Sequence, residues 1–448
     1  MTIAIRTVFI LNILFFFTGC SLSSPKQVNE IFHDKFRLAW NDDPKTTMTI
    51  AWNQYMGNPT LYYGKTKQTK KSLRPQRHIL YRSMNNYFAR LKGLETNTRY
   101  YFKACTNKKC SDIMYFKTAP DDNRSFTFIA GGDSRSIPRG RIRGNILVSK
   151  IRPLFVAHGG DYTYHGNASE WKRWFDEWQK TKSKDGRMYP LVLTRGNHEN
   201  RDREMLNKLF DVPNLNVYSK LNFNFLSLYT LNTELEPLVG YYDMGIKKKD
   251  QWHEYQEWDK QTAWFQEQLK ADTHKWKIVS LHRPLRPHRK SKAEGRLRYL
   301  DWAPLFYKYG VQLAIECDSH LVKYTQALKP DLFGEEGFVI DKKRGTTFIG
   351  EGSWGAPTRK SDDEKSWTIK SGRFWQFKLI TVMQHKMEIR TVKFGDETTD
   401  YNPNQVQNIS QKEQNKNPLV LPNNLDLWSI QGNKVLNIKE QNNKKNLN

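Results

Sequence analysis

Five short apolar runs of this chain stop at residues that can hold a metal ion, and this constrains the fold more than any bulk property. "FTFIAGG" ends at Asp133, and "PLFVAHGG" ends at Asp161, with Tyr164 and His165 close behind. "YPLVLTRG" delivers Asn197 and His198, "KWKIVSLH" delivers His282, and "VQLAI" delivers Glu316-Cys317-Asp318-Ser319-His320. Runs of this length and apolarity predict buried strands. Between them, "SEWKRWFDEWQK", with Ser169 as its expected N-cap, and "QTAWFQEQLKA" repeat aromatic residues at helical spacing. Those stripes are expected to face a core. Strands alternating with helices predict a layered α/β domain. In an open sheet of that kind the carboxyl ends of the strands line one crevice, so residues far apart in sequence converge.

The convergence carries a chemical implication. A buried ion costs several kcal/mol unless it is paired or bound to metal. A stability-driven interior would not gather carboxylates, an amide oxygen and several imidazoles in one place. Oxygen and nitrogen donors together suit borderline or hard cations such as iron, manganese or zinc. For "ECDSH" alone, a metal site, an acid/base pair and a polar strand end all compete. Five strand ends in series favour the metal.

The rest of the chain frames this domain. Residues 1–20 form a leader: Arg6, an apolar run from Val8 to Phe17, and small residues before Cys20. The run is too short to span a membrane comfortably and has the build of a signal peptide. "FTGC" resembles a bacterial lipobox, which would make Cys20 the lipid-bearing mature N-terminus; ordinary secretion is the alternative. Either way the chain is expected to be exported, to the cell envelope or periplasm, touching a membrane only through that anchor. Residues 29–120 carry short alternating strands separated by turns, as in a small β-sandwich. The polar stretch "TAPDDNRS" separates them from the α/β domain over 124–400, and 401–448 is a polar tail whose runs "LDLWSI" and "KVLNI" can dock as a hairpin. Cys105 and Cys110 either close a small disulfide loop or remain two free thiols. The net charge of +26, from 72 basic and 46 acidic residues, favours anionic partners. No nucleic-acid module accompanies it, so no specific nucleic-acid partner is expected.

The series "GD–GDxxY–GNH–VxxH–xxxH" resembles the metallophosphoesterase (calcineurin-like) superfamily and, through the Gly160–Asp161–Tyr164 spacing, the purple acid phosphatases. "LKGLETNTRYYFKA" and "YFKTAP" resemble the last strands of the fibronectin type III-like domain that precedes the catalytic domain in that family. The resemblance implies a layered αββα catalytic domain and two metal ions, Fe3+ plus a divalent Fe, Mn, Zn or Mg. It implies Asp133, Tyr164 and His320 on the first metal, Asp161 bridging, and Asn197 and His282 on the second. Where the family's "GHxH" motif has glycine and then histidine, this chain has Cys317 and Asp318. An aspartate remains a competent ligand. Four anionic ligands facing a ferric and a divalent ion would leave about one net positive charge, which favours a harder second metal over zinc.

The activity implied by the resemblance is that of an exported phosphatase hydrolysing phosphate monoesters with metal-activated hydroxide, His198 protonating the leaving oxygen or clamping phosphate. His165, His288 and Arg135 are the further candidates for substrate binding. The loops "SRSIPRGRIRG" and "RPLRPHRKSKAEGRLR" are expected to rim the crevice with cations that select polyanionic substrates. A phosphodiesterase using the same centre and a non-catalytic envelope lipoprotein are the competing readings.

Overall fold

The structure is a computed structural model that describes residues 33–107, 109–212, 214–237 and 248–440, with backbone alone over 248–254. The leader and Cys20 lie outside the described residues. Among the described residues no helix is long and apolar enough to cross a membrane.

Two sheets face each other across a common core. In the first, strands Phe126–Gly131, Val156–His158 and Pro190–Leu193 run parallel, with Gly131 opposite His158 and His158 opposite Leu193. In the second, Leu226–Leu231, Trp276–Leu281, Leu313–Ile315 and Thr346–Gly350 run parallel in that order. Side chains alternate between the two faces of a strand. Phe128, Ala130 and Phe155 therefore point inward to meet Leu228, Trp276 and Ile278 of the second sheet. Their neighbours Ile129 and Val156 point outward to meet Leu147, Trp171, Trp174 and Trp178 on helices Pro138–Ile151 and Ala168–Trp178. Tyr229 and Val279 likewise meet Trp258, Phe265 and Phe306 on the helices over the second sheet. Burial of each large apolar side chain stabilises this arrangement by roughly 1.5–3 kcal/mol. The tryptophan stripes are thus core, and four layers result: helix, sheet, sheet, helix. One local expectation changes. The helix at 168 is capped by Asn167, whose side chain accepts from the Glu170 amide at 3.0 Å, and Ser169 lies inside its first turn.

The sandwich is continuous with this scaffold. Its first strand, His33–Ala39, pairs in parallel with Pro190–Leu193, so one sandwich sheet extends the catalytic sheet to ten strands. "TAPDDNRS" is a linker in sequence, but the hydrogen-bonded sheet runs past it, because the Pro190 edge would otherwise stand unpaired. Cys105 and Cys110 are disulfide-bonded across a short antiparallel pair. The polar tail is docked as well: Leu436–Lys439 pairs with Lys386–Lys393, and Leu421, Leu425 and Leu427 pack on the outer core.

Candidate metal centre

Both parallel sheets bring their carboxyl ends to one edge, and the loops there are tightly made. Asp133, Asp161, Asp318 and His320 all adopt left-handed backbone, with φ of 56°, 57°, 72° and 60°. Such conformations cost on the order of 1–3 kcal/mol each and persist where neighbours enforce them. Here the Asp318 amide donates to Asp133 Oδ2 at 2.9 Å, the Cys317 amide donates to the His282 carbonyl, and the His320 amide donates to the Glu351 carbonyl. A Cβ on Gly352 would lie 1.8 Å from Asp133 Oδ2, so glycine is required there.

One group of donors consists of Asp133, Asp161 and His320, whose ligand atoms all lie within 4.8 Å of one another. Asp133 Oδ1 is buried without a hydrogen-bond partner and stands 3.2 Å from His320 Nε2. His320 spends its Nδ1–H on the Pro357 carbonyl at 3.1 Å, which leaves Nε2 as an acceptor facing the cluster. Burial pushes the Asp133 carboxyl up, but the adjacent His320 and His282 outweigh it and hold the group well below the usual carboxylate range. Arg135 sits among these donors, donating to Asp161 Oδ2 at 3.1 Å and approaching His320 Nε2 at 3.2 Å. Its guanidinium lies 5.2 Å from the centre of the Tyr164 ring. Tyr164 stands at the open edge, 44% exposed, with its ring 5.0 Å from that of His198.

A second group converges on His282. Its Nδ1–H donates to the Gly159 carbonyl at 2.8 Å, and Nε2 faces Asn197 Oδ1 at 3.1 Å, Asp161 Oδ1 at 3.4 Å and Asp318 Oδ1 at 3.8 Å. Burial disfavours the imidazolium, yet Asp161, Asp133 and Asp318 together push it up to about 9. Asp318, where the family pattern has histidine, is therefore beside His282. Its Oδ1 also accepts from Lys292 Nζ at 2.5 Å, with 8% and 22% of the two side chains exposed.

These donor sets fit two metal ions sharing Asp161. Each imidazole has its Nδ1–H fixed by a backbone carbonyl and presents Nε2, which is how metal-binding histidines are oriented. Asp133 Oδ1 is an orphaned buried oxygen, which a cation would satisfy. Hydrogen bonding beyond the ligands is also in place. Glu199 Oε1 and Oε2 accept from the amides of Tyr162, Asp161 and Gly196, clamping the Asp161 loop to the Asn197 loop.

Among the remaining candidates, His198 donates Nδ1–H to the Tyr164 carbonyl at 2.6 Å and holds Nε2 3.7 Å from Asp161 Oδ2. His165 is half-exposed next to Tyr164 and pairs with Glu170 at 2.8 Å. His288 is not brought to the crevice: it is fully buried, bonded to Thr368 Oγ1 at 2.7 Å and packed on Trp367. The Cys317 thiol is inserted between two glycines, where a Cβ on Gly132 or Gly159 would fall 2.7 or 2.2 Å from Sγ.

The expected cationic rim shrinks. Arg139, Arg141 and Arg143 lie on a helix and bond to Glu397, Glu177 and Thr399, while Arg283 and Arg298 are held by Glu234 and Glu236. From the two basic loops, Arg135 and Lys292 contact the donor groups. Arg359, which no motif marks, joins them: its amide donates to the His320 carbonyl, and its guanidinium is held down by burial, then by Arg135 and Arg289, against the pull of Asp318 and Asp133.

Residues 141–321 match the family model of the calcineurin-like phosphoesterases, and 33–118 match the purple acid phosphatase N-terminal domain. The chain is a purple acid phosphatase-like phosphoesterase. Asp133 lies just ahead of the matched phosphoesterase segment, which takes in every other donor described above. Among solved structures, this phosphoesterase is similar to the purple acid phosphatase PPD1 from yellow lupin (Lupinus luteus) seeds, at 16% identity and a TM-score of 0.65 over 81% of this chain and 72% of that one. It is also similar to the structure of PhoD, at 13% identity and a TM-score of 0.63 over 83% of this chain and 88% of that one. These likenesses bear on the fold. No curated protein matches the sequence.

Proposed function

We propose that this phosphoesterase hydrolyses phosphate monoesters at a two-metal centre held by Asp133, Asp161, Tyr164 and His320 on one side and by Asn197, His282, Asp318 and the shared Asp161 on the other. The observation that carries this reading is the orientation of His282 and His320, each presenting Nε2 to a carboxylate cluster that shares Asp161. Metal ions bound there supply an acidified water and neutralise charge on the phosphoryl group. The chain's own residues do the rest. His198, fixed through Nδ1, keeps Nε2 as the position that carries a proton to the leaving oxygen. Arg135 donates to Asp161 Oδ2 and approaches His320 Nε2; with those lone pairs on a metal, its fork would be available to phosphoryl oxygens. Arg135, Lys292 and Arg359 together favour the doubly charged head of a monoester over the singly charged diester.

The leader supports export, with Cys20 as a lipid anchor, and the Cys105–Cys110 disulfide is in keeping with an oxidising compartment. Ferric iron with a divalent partner is the pair we propose, Asp318 favouring manganese, iron or magnesium over zinc. The test is a comparison of 4-nitrophenyl phosphate with bis(4-nitrophenyl) phosphate on the metal-reconstituted protein. A larger kcat/KM for the monoester is expected, and preference for the diester would overturn the substrate class.

A further inference from the structure

The strands whose carboxyl ends carry the metal ligands also frame a cavity at their amino ends. It has a volume of about 370 Å3 and is bounded by Ser125, Phe126, Thr127 and Leu154, by sandwich residues, and by the docked tail. None of its lining residues belongs to the metal centre. A cavity of this size accommodates a small organic ligand.

Its charge is lopsided. Arg99, Lys117, Arg124, Arg152 and Arg187 all line it. Arg124 is paired with Asp122 at 2.6 Å, and Arg152 with Asp185 at 2.9 Å. The other three have no carboxylate partner among the described residues. Arg187 is 6% exposed; it donates to Gln414 Oε1 and the Pro153 carbonyl, and its buried Nε has no partner. Arg99 reaches only the Tyr101 hydroxyl and lies 4.9 Å over the Tyr115 ring. Lys117 makes no hydrogen bond or ion pair among the described residues. Burial, followed by Arg187, Arg124 and Arg99, pushes its ammonium down to about 8. Arg187 is buried and Arg99 and Lys117 are half-buried; a cation withdrawn from water without a carboxylate partner is costly, and folding alone gives no reason to gather three such cations around one void.

The lining also includes the apolar side chains of Phe126, Ile151, Leu154, Val420 and Leu421. The tail is held there by Gln414, whose Nε2 donates to the Arg152 carbonyl at 2.7 Å. Three cations without carboxylate partners in a cavity that is also lined by apolar side chains suit an anion with a carbon body. Arginine's fork matches phosphoryl oxygens, and a doubly charged head answers more of the excess charge than a monocarboxylate would.

We propose that this cavity is a second, non-catalytic site for a small organic phosphate, its head on Arg99, Lys117 and Arg187 and its carbon body on Phe126, Leu154 and Leu421. This site is independent of the reaction at the metal centre.

Titration calorimetry of the full chain with phenylphosphonate, which resists hydrolysis, tests it. The wild type should show two classes of site. Lys117→Met and, separately, Arg99→Met should weaken one class by at least about tenfold, the effect of losing one charge-assisted contact, and leave the other intact. Asp133→Asn should do the converse. Circular dichroism melting identifies any variant that fails to fold, and the two cation variants are independent of each other. A single class, lost in Asp133→Asn and untouched by Lys117→Met and Arg99→Met, would overturn the proposal. Tighter binding of benzylmalonate than of phenylphosphonate at this site would overturn the phosphate assignment and make the ligand a dicarboxylate.

Discussion

Lys292 bears on the departure that sets this chain apart, the aspartate at 318. Its ammonium lies 2.5 Å from Asp318 Oδ1, the same oxygen that faces His282 Nε2 at 3.8 Å. A metal at the second group would therefore compete with the lysine for Asp318 Oδ1. Hydrogen bonds to charged groups contribute about 1.5–3 kcal/mol, and this pair is largely shielded from water. Lys292→Met removes the competing cation and keeps most of the side chain's bulk. The second metal should then bind about 10- to 150-fold more tightly, the same energy expressed as a ratio of constants. Without metal the variant should be less stable than the wild type, because the buried Asp318 loses its hydrogen-bonded cation and keeps only His282 at 3.8 Å. The assay is calorimetric titration of the metal-free full chain with Mn2+, resolving the second event. Unchanged or weaker second-site binding in Lys292→Met would refute the reasoning and place Asp318 outside the ligand set.

Three further outcomes are expected from the geometry. His282 is raised to about 9 in the metal-free protein. The stability this contributes is present in full below the unfolded value near 6.5 and is lost as pH rises to 9, a change on the order of 3 kcal/mol; thermal melts across pH 6–10 should show the loss, and it should vanish when metal holds Nε2. Gly159→Ala places a methyl 2.2 Å from Cys317 Sγ and should destabilise by about 1–3 kcal/mol, while adding Cys317→Gly should recover most of that in chemical denaturation; simple additivity of the two changes would contradict the packing account. His198→Gln should lower kcat for an alkyl phosphate by roughly 10²–10⁴ and for 4-nitrophenyl phosphate far less, since that leaving group needs no proton; an equal loss on both substrates would assign His198 to phosphate clamping.

The layered fold and the donors on its strand ends were legible because both rest on local pattern. Short apolar runs such as "PLFVAHGG" and "KWKIVSLH" give the strands, and parallel sheets gather the residues after each strand at one edge. Features that depend on choosing among equivalent residues were not legible. Seven basic residues in one loop offered no sign that Lys292 would reach Asp318 while Arg283 and Arg298 would be held by Glu234 and Glu236. Arg139, Arg141 and Arg143 read as loop cations because Pro138 and Gly140 resemble turn residues, yet Pro138 is at the start of the helix, where its missing amide costs nothing. Arg359 is remote in sequence and reaches the site only through the strand pairing of Thr346–Gly350, just ahead of it. His288 looked like a rim residue for lack of any signal that Trp367 and Thr368 would bury it. The tail was legible as polar with two runs, "LDLWSI" and "KVLNI", able to dock; what was not legible is that both lie along Lys386–Lys393.

The measurement that tests the central claim most directly is metal analysis of the purified full chain together with its visible spectrum. Two metal ions per chain are predicted, one of them ferric, with a charge-transfer band that disappears in Tyr164→Phe while that variant stays folded. A folded protein that binds no metal, shows no such band and hydrolyses no phosphate ester after iron and manganese reconstitution would contradict the account.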